Sequence, residues 1–230
     1  MGKLDGHFLQ ETKGKLDVDL LGVASVEKSG SMELREKAAS LLPGVRSVLV
    51  LGKEIFQEVV ALLGPSKGAG EADYGELLKP HGDYINGRLT RAVHELASLF
   101  RREGYQSLPL PAAGCPTDHR LIMAVFSYKH AAKLAGLGSI GWHSMLITPE
   151  YGPRVKLACV LTEAPLEPSP LRDEYYCRDC GACIQQCPAL ALQEPRRGES
   201  YFMNKFACQT YRNAGLTCGV CMKVCDEVLR

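Results

Sequence analysis

The chain has 230 residues, 46% of them hydrophobic, with 27 Lys and Arg against 26 Asp and Glu and a formal net charge of +1. That length accommodates one good-sized domain and a small one. The balanced charge, with no long run of either sign, gives no electrostatic footprint for nucleic acid or for a membrane surface. The first residues, Met1-Gly2-Lys3-Leu4-Asp5-Gly6-His7, lack the apolar core of a secretory signal, and no apolar run reaches bilayer length. A cytoplasmic protein is expected, with neither nucleic acid nor membrane as a partner.

In chain order, residues 1–165 read as one α/β domain. The short apolar run at 19–26 predicts a strand. Ser31 is a good N-cap for a helix that runs to about Leu42 and stops at Pro43-Gly44. Val45-Arg46-Ser47-Val48-Leu49-Val50-Leu51 reads as a buried strand by its β-branched content. Residues 64–75, rich in Gly, Ser and Pro, read as a loop. From His81 to Glu103, apolar residues at Tyr84, Ile85, Leu89, Val93, Leu96, Leu99 and Phe100 recur at helical spacing and predict a long amphipathic helix ended by Gly104. A short strand is expected at 105–110, closed by Pro109 and Pro111, then a helix at 127–135 stopped by Gly136. Further strands are expected at 145–148 and 154–162. Residues 163–170, with three prolines, form a linker into a second domain at 166–230.

Eight of the ten cysteines fall in that second domain. Cys177, Cys180, Cys183 and Cys187, followed by Pro188, form C-x2-C-x2-C-x3-C-P, the spacing of ferredoxins that carry two [4Fe–4S] clusters. Cys208 and then Cys218, Cys221 and Cys225 supply the remaining ligands. A cubane needs four thiolates converging on one small object, and two-residue gaps let a tight loop aim three sulfurs at one point. The last cysteine of each run points away on the following helix and serves the other cluster. The spacing therefore assigns Cys177, Cys180, Cys183 and Cys225 to one cluster and Cys187, Cys208, Cys218 and Cys221 to the other. Gly181 and Gly219 suit the tight turns. Structural zinc would place two C-x2-C pairs roughly 15–20 residues apart, and Cys180/Cys183 and Cys218/Cys221 stand well beyond that. Disulfides would need an oxidising compartment that nothing in the sequence signals. Cys159, in an apolar strand, reads as a small buried hydrophobe, and Cys115, beside Pro116, as an accessible thiol.

Gly136-Leu137-Gly138-Ser139-Ile140-Gly141 formally matches G-x-G-x-x-G. A dinucleotide fingerprint needs a strand before it and a helix after it, and here the order is reversed. Glycines at this density still let a backbone approach a flat ligand closely.

The stretch from Phe126 to Arg154, with its Ala-Gly-Leu-Gly turn at 135–138 and Thr148-Pro149-Glu150-Tyr151-Gly152-Pro153-Arg154, resembles the core of the epoxyqueuosine reductase and reductive dehalogenase superfamily. The Leu21-Gly22-Val23-Ala24 run, Leu42-Pro43-Gly44-Val45-Arg46-Ser47-Val48 and the double-cluster tail that follows are similar as well. The resemblance implies a nitroreductase-like α/β sandwich followed by a small ferredoxin-like double-cluster domain. It implies a corrinoid (cobalamin) lying against Gly136, Leu137, Gly138 and Gly141, with His143 as a candidate lower cobalt ligand and Ile147 beside it. A flavin in the same sandwich is the less favoured cofactor. The implied activity is that of an iron–sulfur oxidoreductase passing low-potential electrons from a ferredoxin or flavodoxin through both clusters to the corrinoid, which reduces a substrate. The alternative is an electron-transfer protein that reduces a separate corrinoid protein or other redox partner.

Two departures bear on chemistry. The acid that epoxyqueuosine reductases carry about a dozen residues before the glycine turn falls near Ile122 here, and Asp118 is the nearest carboxyl. Tyr128 is the other candidate proton donor, as tyrosines are in dehalogenase-type sites. The helical-repeat extension of many tRNA-acting members and the export signal of respiratory dehalogenases are not in this sequence, so a tRNA substrate is not expected.

Overall fold

The computed structural model describes residues 6–64, 73–214 and 218–230. Most of the loop expected at 64–75 lies outside them. In chain order the elements begin α1 (Gly6–Lys15), β1 (Leu20–Ser25), α2 (Met32–Leu41), β2 (Ser47–Glu54) and α3 (Gln57–Ala61). A 3-10 turn (Tyr74–Leu77) leads into α4 (Leu78–Arg102), followed by β3 (Ser107–Leu110), β4 (Thr117–Asp118), β5 (Met123–Ala124) and α5 (Tyr128–Leu134). Then come β6 (Ser139–Ile140), β7 (Leu146–Ile147), β8 (Val155–Thr162), α6 (Ala182–Gln185), β9 (Leu192–Gln193), β10 (Phe202–Met203), α7 (Lys205–Asn213) and α8 (Val220–Leu229). The architecture is mixed α/β. No helix of the described residues is long and apolar enough to cross a membrane.

The chain divides into two compact units, each built from three stretches. Unit 1 comprises Met1–Lys53, Ile85–Leu137 and Lys156–Asp173; unit 2 comprises Glu54–Tyr84, Gly138–Val155 and Glu174–Arg230. The last crossing falls close to the linker expected from the prolines, and unit 2 also takes in two earlier stretches.

Unit 1 holds a four-stranded sheet in the order β1-β2-β8-β3. β1 and β2 run antiparallel, with Leu20 opposite Gly52 and Ser25 opposite Ser47. β3 and β8 do the same, with Ser107 opposite Thr162 and Leu110 opposite Cys159. The two inner strands are continuous apolar runs rather than alternating ones, because both of their faces are covered: Val48 to Leu51 and Ala158 to Leu161 are fully buried. Pro109, expected to close β3, lies within it. The strand tolerates a residue without an N–H because it is the sheet's edge.

α2 starts where the sequence predicts, with Ser31 Oγ accepting the Leu34 N–H at 3.1 Å. α4 begins three residues earlier than expected, since Pro80 falls in its first turn, where a missing N–H costs nothing. Its buried stripe is Ile85, Leu89, Ala92, Val93, Leu96, Ala97 and Phe100; Tyr84, expected on that face, is exposed. α5 ends as predicted at Gly136, whose φ of 72° is left-handed. Its C-terminal end packs on β1 at Gly22, where a Cβ would stand 2.5 Å from the Ala135 carbonyl oxygen. The β4–β5 hairpin was not legible in the sequence, because its strands are two residues each and half or fully exposed.

Unit 2 has a small core of Cys183, Leu192, Val220 and Val224, with Trp142, Ile184, Met203, Cys187, Cys218 and Cys221 packed against it. Its segments are too short to bury much apolar surface, and four of the eleven residues in this cluster are cysteines. Most of the elements of this unit are too short to show a pattern; the strand expected at 145–148 is present as β7, and the other short strands were not legible in the sequence.

Candidate metal centre

The loop from Cys177 to Cys183 turns sharply. Asp179 and Gly181 both adopt left-handed backbone, with φ of 51° and 69°, and Gly181 caps α6. This curl brings three thiols round to one side. The fourth, Cys225, comes from α8. All four line one narrow, almost wholly apolar cavity, together with Trp142, His143, Arg178, Gly181, Val228 and Leu229.

The electrostatics group the thiols the same way. Burial pushes the Cys183 thiol up to about 11, with Cys177 and Cys180 adding to the shift. Burial pushes Cys225 up to about 12, with Cys177, Cys183 and Cys180 next in order. In the second set, burial holds Cys208 above its ordinary value, Arg212 opposes this, and Cys218 and Cys187 reinforce it. Cys221, again mainly through burial, rises to about 12, with Cys218, Cys208 and Cys187 as its nearest like charges. For Cys183, Cys208, Cys221 and Cys225 the strongest like-charge neighbours fall in the set that the spacing gave each, with weaker ones across the sets from Cys183 on Cys221 and from Cys221 on Cys225. No disulfide joins any of the ten cysteines.

Cys187 departs from expectation in one respect. It sits in the turn just past α6, its N–H donating to Ile184, rather than on a helix. Its Sγ accepts the Ala191 N–H at 3.3 Å, the kind of bond to sulfur that tunes a cluster's potential.

A four-iron cluster fits these residues. Protonated thiols crowded in apolar surroundings are costly to ionise singly, and iron relieves that cost as the thiols release their protons. Zinc would draw four sulfurs to within about 3.8 Å of one another. Among the described residues no three His, Cys, Asp or Glu side chains are gathered for a single metal ion.

The other expected site residues distribute as follows. Gly138 and Gly141 belong to unit 2, Gly136 and Leu137 to unit 1. A Cβ on Gly136 would stand 2.1 Å from the Pro170 carbonyl oxygen, and one on Gly138 2.1 Å from that of Ile147. On Gly141 it would meet Ile147 Cδ1 at 2.6 Å and His143 Cε1 at 2.9 Å. The side-chain positions of these glycines are thus filled by the chain itself. Leu137 is buried and packs toward Gly22. His143 is buried, 3% exposed; its Nδ1 accepts the Met145 N–H at 3.1 Å, and the ring lines the first set's cavity.

In unit 1, the Tyr128 hydroxyl donates to the Pro111 carbonyl at 2.8 Å, and burial, with Cys115 and Cys159 nearby, pushes its phenol well up. Asp118 is bridged to Arg120 at 3.2 Å, and the Arg120 side chain holds its carboxyl below the usual range. Asp118 is therefore ionised at neutral pH. Ile122 sits at the tip of the β4–β5 hairpin with φ of 47°.

One group escaped the sequence reading. Arg154, 8% exposed, donates from Nε to Asp226 Oδ1 at 2.7 Å and from Nη1 to Glu54 at 2.5 Å and to the Ile55 carbonyl at 2.9 Å. Asp226, next to Cys225, is itself 4% exposed. The pair lines a cleft of about 450 Å³ with Thr148, Tyr151, Tyr176 and Arg178. The only signal in the sequence was the position of Arg154 at the end of the Thr-Pro-Glu-Tyr-Gly-Pro-Arg run.

No family model matches the chain. A tetrachloroethene reductive dehalogenase of Sulfurospirillum multivorans is 35% identical over 107 residues, 40% of this chain and 21% of that protein. An epoxyqueuosine reductase of Gloeobacter violaceus is 30% identical over 161 residues, 70% of this chain and 46% of that protein. The chain thus spans less than half the length of these relatives. Among solved structures, the catabolic reductive dehalogenase NpRdhA in complex with 3-bromo-4-hydroxybenzoic acid superposes with a TM-score of 0.68 at 18% identity, covering 97% of this chain and 32% of that one. A reductive dehalogenase described with a mechanism for B12-dependent dehalogenation gives 0.66 at 18% identity, with 94% and 31% covered. The epoxyqueuosine reductase of Streptococcus thermophilus gives 0.58 at 16%, with 95% and 64% covered.

The chain is therefore related to two kinds of reductase on one fold. Its curated relatives and its structural neighbours alike are reductive dehalogenases and epoxyqueuosine reductases.

Proposed function

We propose that the protein is an iron–sulfur oxidoreductase in which two [4Fe–4S] clusters hand on low-potential electrons, one at a time, to a reducing centre. The observation that carries this is the separation of eight thiols into two sets of four around one small core. Cys177, Cys180, Cys183 and Cys225 hold the first cluster, and Cys187, Cys208, Cys218 and Cys221 the second. Each set draws on both cysteine runs, which keeps the clusters close enough for electrons to pass. The N–H bond to Cys187 Sγ and the burial of Cys183 and Cys221 are the levers by which this chain sets their potentials.

A corrinoid is the reducing centre this reading favours. One reductive dehalogenase of like fold is B12-dependent. When bound, it would supply a cobalt centre for the reduction of substrate. The segment 136–147, with Gly136, Leu137, Gly138, Gly141, His143 and Ile147, is its proposed contact, within a nitroreductase-like sandwich joined to a ferredoxin-like domain. A ferredoxin or flavodoxin of the cytoplasm would feed the clusters.

One observation favours a second reading, an electron carrier that reduces a separate corrinoid or other redox protein. Of the two candidate proton donors, Asp118 is ionised against Arg120 and the Tyr128 hydroxyl is spent on Pro111. The test is a metal count and visible spectrum on anaerobically purified protein. About eight irons per chain with cobalt, or with uptake of added cobalamin, supports the enzyme. Eight irons without cobalt or uptake selects the carrier, and four or fewer after reconstitution overturns both.

A further inference from the structure

We propose that Arg154 and Arg178 are positioning residues for the first cluster: they grip α8 on either side so that Cys225 stands ready as the fourth ligand. The inference rests on the assignment of Cys177, Cys180, Cys183 and Cys225 to one cluster.

Three of those cysteines come from a single loop, and its turns fix their spacing. Cys225 arrives on a separate helix, so its reach is set only by how α8 is held. The apolar contacts of Val220 and Val224 place the helix against Cys183 and Leu192 but supply no directional bond to set its azimuth. A roll of 30° on a Cα radius of about 2.3 Å moves that atom by about 1.2 Å, and the sulfur further. Metal–ligand bonds tolerate only about 0.2 Å.

Two polar anchors stop the roll. Asp226 follows Cys225 directly, so fixing its azimuth fixes that of the thiol. It is fixed by the Nε of Arg154, itself anchored on Glu54 and the Ile55 carbonyl. Both side chains are buried, and a buried ion pair is a poor source of stability, since desolvation offsets its attraction. Its directional hydrogen bonds supply what apolar packing lacks, a defined angle. The second anchor is Arg178, the residue after Cys177. Its Nη1 donates to the Val228 carbonyl at 2.6 Å and its Nη2 to that of Leu229 at 3.1 Å. These are last-turn carbonyls of α8, where a cation is favoured. This anchor ties the loop of the first ligand to the helix of the fourth. Arg178 is exposed, and water competes for its bonds, so Arg154 is the stronger of the two.

The experiment uses the full chain, reconstituted anaerobically with iron and sulfide and titrated with ferricyanide under EPR. A four-iron cluster that loses its fourth ligand's grip gives up one ferrous ion, and one electron passes to ferricyanide. The product is a three-iron cluster with its own signal in the oxidised state. Arg154→Gln and Arg178→Gln are expected to form that signal at about tenfold lower ferricyanide exposure than the wild type. Arg178→Lys should recover part of the difference, and the second cluster's signal should be unchanged in all of them. Wild-type resistance in both Gln variants overturns the proposal. If Arg154→Gln costs the fold, seen as loss of both clusters, Arg178→Gln at its exposed site decides alone. Cys225→Ser is the separate control: if it leaves the first cluster as resistant as wild type, the ligand assignment is what has failed.

Discussion

At the scale of single residues, the crossed ligation makes a sharp prediction. Cys180→Ser and Cys187→Ser lie seven positions apart on one run, yet each should perturb a different cluster, the first and the second respectively. EPR of the reduced variants, with its two signals read separately, checks this. The left-handed turn at Gly136 gives another. Alanine there would meet both the strain of positive φ and the Pro170 carbonyl oxygen at 2.1 Å, and should destabilise unit 1 by at least about 2 kcal/mol in denaturant unfolding. Asp17 shows the opposite scale of effect. Lys53 first and Arg88 second hold its carboxyl below its ordinary value of 3.8. A depressed carboxylate stabilises the fold above that value and loses the contribution as pH falls through its folded value. Its side chain is 47% exposed, so screening limits the effect. Asp17→Asn should cost under about 1 kcal/mol at neutral pH, less in high salt, and should flatten the acid limb of the stability curve below about pH 4. The cluster cysteines were legible because their spacing is local and chemically constrained. Arg154 was not, because its partner lies 72 residues away and nothing in a lone arginine says where its guanidinium goes.

At the scale of elements, length decided what could be read. α2, α4 and α5 carry enough turns for caps and periodicity to show, and the inner strands β2 and β8 are long apolar runs. β4, β5, β6, β7, β9 and β10 are two residues each, too short for any period to appear. β3 was legible, but Pro109 was read as its boundary because its place at the sheet's edge depends on a partner far along the chain. α4 is the element on which unit 1 depends most. Phe100 is fully buried at its C-terminal end, and Phe100→Ala should cost about 3–5 kcal/mol, read as a lower denaturation midpoint with an unchanged slope.

At the scale of the whole molecule, the two units differ in what holds them. Unit 1 has a covered sheet and a long amphipathic helix. Unit 2 has a core of four buried residues around eight thiols. Removing iron should therefore lower hydrogen-exchange protection in residues 138–155 and 174–230 well before it affects 20–53 or 85–137. Mass spectrometry of chelated against reconstituted protein reads this directly. The prolines of 163–170 led the sequence reading to a boundary at 165/166, while the last crossing between the units falls at 173/174. That reading could not find that two earlier stretches fold with the tail, since association between distant segments leaves no mark in local composition.

That interleaving sets an order of events during synthesis. Trp142, His143 and Arg154 leave the ribosome before any ligand does, and Cys225 emerges 48 residues after Cys177. Whatever delivers the iron must wait for that last thiol, and the early segments have meanwhile to stay unaggregated without their partners. A ribosome stalled shortly after residue 187 should carry a nascent chain unable to retain either cubane.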